Sequence, residues 1–100
     1  MSNEPENSGA WFTSPIRAII RDPLFQKQLD GLALSHGRLE EVMAGLEYVL
    51  ARYPEAFHPI SGTKDCVALT YPYPNAPPIR ILFTYTSTEV HLHAIEFSRE

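Results

Sequence analysis

The amino-acid sequence predicts a small α+β domain of order β-α-α-β-β-β, a small antiparallel sheet carrying a two-helix hairpin on one face. Three observations predict it. A short β-branched run, Ile16-Arg17-Ala18-Ile19-Ile20-Arg21, stops at Asp22-Pro23; two stretches of helical period follow back to back as far as Tyr53; from Cys66 onward the period becomes that of strands. A chain of 100 residues supports one hydrophobic core. Residues 10–100 therefore form one domain, preceded by a polar tail, Met1–Gly9, which has no apolar periodicity with which to offset the entropy of ordering.

The first strand gives way to a helix near residue 23. Asp22 is an acceptor for the free amide groups of a helix start, and Pro23 lacks only an N–H that has no partner there. Phe25, Leu29 and Leu32 make one apolar stripe, and the pattern is lost at Ser35-His36-Gly37. The second helix has the clearest periodicity in the chain: Leu39, Val42, Met43, Leu46, Val49, Leu50 and Tyr53 share a face, while Glu40, Glu41, Glu47 and Arg52 lie opposite and Pro54 ends the run. That stripe, Met43 included, is core. The short Ser-His-Gly joint makes the pair an antiparallel hairpin.

Past Pro59, Gly62 and Asp65, Cys66–Tyr71 reads as a strand. The following Tyr71–Pro78 has four prolines and cannot continue a ladder, so it is a loop; its Pro74-Asn-Ala-Pro77 spacing is that of a rigid connection rather than a ligand motif. Ile79–Thr86 and Val90–Phe97 then flank Ser87-Thr88, a short hairpin turn. A regular two-residue turn pairs Thr86 with Glu89, Thr84 with His91, Leu82 with His93 and Arg80 with Ile95. One face then holds Ile79, Ile81, Phe83, Tyr85, Val90, Leu92 and Ala94 and packs on the helices. The other holds Arg80, Leu82, Thr84, Thr86, His91, His93 and Ile95 and faces water.

Composition excludes several function classes. Twelve acidic against eight basic residues give a net charge of −4, but residues 10–99 hold nine acids and eight bases, so the domain is close to neutral and has no basic run or stripe for generic phosphate binding. No window is apolar enough for a membrane span and the first residues do not resemble a signal peptide, so a cytoplasmic location is expected. The single cysteine, Cys66, allows neither an intramolecular disulfide nor a Cys-rich zinc site, and it begins an apolar strand as a packing residue. No Gly-rich phosphate loop, acidic pair or Ser-His or Cys-His spacing recommends an ordinary metabolic enzyme.

The chemistry-bearing residues are few. His91 and His93, at i and i+2 on one strand face, aim two imidazoles at the same place, and a side chain with a reference pKa of about 6.5 suits proton transfer. They lack a third partner for a metal, and no metal or cofactor is expected. Arg80 shares their face. His36 and His58 fall in turns and carry no functional signal.

From Ile16 to Phe97 the chain resembles the RelE/ParE superfamily of bacterial toxin–antitoxin toxins. The features that carry the likeness are the strand ending in Asp22-Pro23, the Phe25/Leu29/Leu32 helix, the long helix closing at Tyr53-Pro54, the Pro59–Gly62 turn, and above all Pro78-Ile79-Arg80-Ile81-Leu82-Phe83 leading into the final hairpin. The resemblance implies the toxin component of a type II module, neutralised by a cognate antitoxin. In the nuclease branch it implies an endoribonuclease acting on mRNA at the ribosome, in which a ribose 2′-hydroxyl attacks the neighbouring phosphodiester. Arg80 matches the family's strand arginine, Lys64 stands just before the strand where family lysines fall, and Arg99 follows the last strand, about where the family has basic residues; the implied site is Arg80, with Lys64, His91 and His93 assisting. Ala68 and Thr70 occupy the lysine positions without charge, and a C-terminal Tyr or His is absent. A gyrase-inhibiting toxin and a non-catalytic interaction module stay open beside the nuclease, as do a homodimer and strand addition by the antitoxin at a sheet edge.

Overall fold

Residues 16–71 and 77–98 are described by a computed structural model. The expected tail, the PxxP spacing and Arg99 lie outside them. Strand β1 (Ala18–Arg21) leads through Asp22 into helix α1 (Pro23–Ala33), with Pro23 in its first turn. Helix α2 (Leu39–Arg52) carries Glu40 and Glu41 in its first turn and Arg52 in its last, each complementing the helix dipole. A 3-10 turn at Pro54–Ala56 closes the helical half.

Four strands follow: β2 (His58–Pro59), β3 (Cys66–Thr70), β4 (Ile79–Tyr85) and β5 (Glu89–Phe97). They join β1 in one sheet of order β1-β5-β4-β3-β2. The α+β class and the β-α-α-β-β-β succession hold, with one added strand. The sheet itself is mixed, because β1 runs parallel to β5 while all other neighbours are antiparallel. Three antiparallel steps set β5 against β2, so β1, parallel to β5, runs against β2 as well. A two-residue strand containing proline gives no alternation to read. Gly62, at φ 82°, makes the tight β2–β3 turn, in which the Ile60 N–H donates to the Asp65 carbonyl at 2.8 Å.

One core lies between the sheet and the helices. Phe25 and Leu29 of α1 and Leu39, Met43 and Leu50 of α2 meet Cys66, Ala68, Ile79, Ile81, Phe83, Val90, Leu92 and Ile95 of the sheet. Leu32, Val42 and Leu46 border it, partly buried. Val49 and Tyr53, expected in the stripe, are exposed, while Leu50 and Ala51 between them are buried. Arg21 ties β1 to α2 through Glu47 at 2.7 Å and Glu40 at 3.2 Å. The Glu47 hydrogen bond raises the Arg21 pKa further, against the opposing effect of burial.

The β4–β5 hairpin keeps the expected two-residue turn, with the Thr86 N–H donating to the Glu89 carbonyl at 2.8 Å. Thr84 pairs with His91 and Phe83 with Leu92, but Leu82 then pairs with Ala94 and Arg80 with Glu96. The expected Leu82–His93 and Arg80–Ile95 pairs are thereby corrected. A β-bulge gives β5 one extra residue at His93, and every later side chain changes face. Ile95 turns into the core, 2% exposed, and Ala94 turns out. The bulge is favoured because it buries an isoleucine and exposes an alanine.

Candidate functional site

The open face of the sheet is built mainly from β4 and β5. Alternation on β4 puts Arg80, Leu82 and Thr84 there; β5 contributes Glu89 and His91 before the bulge and Ala94 and Glu96 after it. The two histidine rings stand parallel, their centroids 6.4 Å apart and their planes 15° apart. Arg80 occupies the same face farther along β4. The three side chains expected to share a surface do so.

Each of them is held by a carboxylate. The Arg80 Nε donates to Glu96 Oε2 at 3.0 Å, with a second, very short bond from its Nη2. Both side chains are about half exposed, at 48% and 58%. His91 Nε2 bonds Glu89 Oε1 at 2.9 Å, and His93 Nδ1 bonds Asp22 Oδ2 at 2.6 Å. An ionised carboxylate only accepts, so His93 Nδ1 carries the proton in this contact. In the neutral ring Nε2 is then the acceptor, and it takes a hydrogen bond from the Thr84 hydroxyl at 2.8 Å. The result is a chain of hydroxyl, imidazole and carboxylate.

Asp22 differs from its expected role. It sits at the cap position with extended backbone, φ −62° and ψ 152°, yet its side chain makes no capping hydrogen bond. The carboxylate is turned to His93 instead, a charge-assisted contact stronger than a bond to a neutral amide. Diverting a cap forgoes roughly 1 kcal/mol of helix stability. Lys64 lies exposed in the turn before β3 and, among the described residues, pairs with no carboxylate. Ala68 is fully buried, facing away from this surface, while Thr70 shares that parity.

Beside the histidines runs an apolar groove of about 330 Å³, floored by Val67, Leu82 and Ala94 and edged by Ile60, Ile95, Gln28 and the Arg80–Glu96 pair. Gln28 comes from α1: its Oε1 accepts the Ile95 N–H at 2.9 Å, which leaves the amide NH2 as a donor. No local pattern marks this groove, because Ala94 reaches it only through the bulge. Asp22, standing 71 residues away in the chain, was hidden as a partner of His93, whereas alternation already puts Thr84 on the face of His93. Glu89 also had a legible cue, its i, i+2 spacing from His91.

The described residues contain no group of three or more His, Cys, Asp or Glu arranged to hold a metal ion. Cys66 is buried as expected, and burial, with Asp65 nearby, pushes its thiol pKa up. Compared with protein-family models and with curated proteins, the chain matches none.

Proposed function

We propose that the chain is the toxin component of a type II toxin–antitoxin pair of the RelE/ParE kind, working in the cytoplasm on mRNA at the ribosome and neutralised by a cognate antitoxin. The observation that carries this reading is the placing of Arg80, His91 and His93 on one open sheet face. In the proposed cleavage, His93 Nε2 takes the proton of the attacking ribose 2′-hydroxyl, His91 protonates the leaving 5′-oxygen, and Arg80 exchanges Glu96 for the phosphorane. Lys64 adds long-range positive charge from its turn.

Tight, inducible expression tests it. The wild type is expected to arrest growth and create new mRNA 5′ ends, and co-expression of the neighbouring reading frame to relieve the arrest. Arg80→Ala and His93→Ala are expected to abolish the new ends. A chain that is harmless at high expression overturns the reading.

A second reading, a non-catalytic interaction module, is favoured by a specific observation: Arg80, His91 and His93 are each engaged by a carboxylate. A polyanion must displace those carboxylates, whereas an uncharged protein surface need not. This reading expects no cleavage from any variant.

A further inference from the structure

We propose that Thr84, His93 and Asp22 form an acyl-transfer centre in which Thr84 is the nucleophile and short, apolar acyl esters are the substrates. The proposal stands apart from the toxin reading, since it requires neither ribosome nor RNA. Three observations carry it. The Thr84 hydroxyl is 2.8 Å from His93 Nε2, and His93 Nδ1 is 2.6 Å from Asp22, the order of contacts by which a base activates a hydroxyl while a carboxylate fixes its tautomer. Asp22 leaves its helix-capping role to make that contact, and the bulge at His93 interrupts the ladder where this imidazole is needed. The adjoining groove is apolar and uncharged along its floor, with Leu82 on the same face as Thr84 and Ala94 next to His93.

The ring and the carboxylate are each 33% exposed, so an ester has access to them. Thr84 Oγ1 adds to the ester carbonyl as its proton passes to Nε2. The carbon–oxygen bond to the alcohol breaks, and Nε2 returns the proton to the departing alkoxide. A threonyl ester and a free alcohol result, with no change of oxidation state. The acyl chain lies along Leu82 and Ala94, where the Gln28 amide and Arg80 are the donors lining the groove. A neutral ester meets no charge repulsion from the surrounding carboxylates Asp22, Glu89 and Glu96.

The full chain, incubated with p-nitrophenyl acetate or p-nitrophenyl butyrate, provides the test, read by p-nitrophenolate release and by peptide mass spectrometry of the acylated residue. A stoichiometric burst with the acyl group on Thr84 is expected, faster for butyrate. Thr84→Val and His93→Gln are expected to lower the burst rate at least about tenfold, Asp22→Asn to lower it at neutral pH, and Thr84→Ser to keep it with the label at position 84. Circular dichroism melts check that each variant is folded, and Thr84→Ser keeps the test decisive if the valine variant is not. Acylation confined to lysines or histidines, labelling of Thr84 that His93→Gln leaves unchanged, or no uptake at all overturns the proposal.

Discussion

The bulge at His93 predicts opposite fates for two adjacent residues. Ile95 is 2% exposed and packs into the core opposite Ile81, whereas Ala94 pairs with Leu82 on the open face. Truncating a buried isoleucine to alanine removes its transfer free energy and leaves a cavity, together about 2–5 kcal/mol. Taking about 3 kcal/mol, and 4–8 °C per kcal/mol for a domain of this size, Ile95→Ala lowers Tm by roughly 12–24 °C. Ala94→Ser, a small change on a wetted face, stays within about 0.5 kcal/mol. Urea denaturation followed by circular dichroism measures both, at a common m-value. A regular hairpin without the bulge exchanges the two results: Ile95→Ala then costs under about 1 kcal/mol and Ala94→Ser is the damaging change. That exchange would refute the register and, with it, the groove.

Arg21→Met removes the partner of Glu47 at a part-buried contact, and a destabilisation of about 2 kcal/mol is expected in the same urea assay. Glu96→Gln breaks an exposed pair, so stability changes by less than about 1 kcal/mol; freeing Arg80 is expected to raise any RNA cleavage, read in the 5′-end assay. The Cys66 thiol has a pKa raised above its ordinary 9.0 in the folded chain, so the unfolded chain deprotonates first. Its contribution is complete below that value and declines as pH rises through it, and the decline is expected to vanish in Cys66→Ala when unfolding is followed between about pH 8 and 10.5.

Much of the fold was legible because period and punctuation agree. Phe25 and Leu29 are buried at the spacing that marks them, Pro54 stops the second helix, and Ser87-Thr88 makes the hairpin turn. The rest depended on long-range choices. His58–Pro59 joins the sheet by pairing with Val67 and Cys66, and β1 joins at the far edge beside β5, two pairings that no local pattern marks. The shift at His93 arises from burying Ile95, a tertiary preference that alternation within one strand does not express. Arg80, Thr84, His91 and His93 were visible as one surface, but Glu96 and Asp22 were brought to them by pairing and by the β1–α1 corner. The carboxylates are the larger revision, since they turn an open basic face into a paired one.

Cleavage of a defined mRNA by the purified chain on translating ribosomes, wild type beside His93→Ala, tests the proposed function most directly. New 5′ ends are expected for the wild type and none for the variant. Intact mRNA with the wild-type chain, at concentrations above those of the ribosomes, would contradict it and leave the open face to binding.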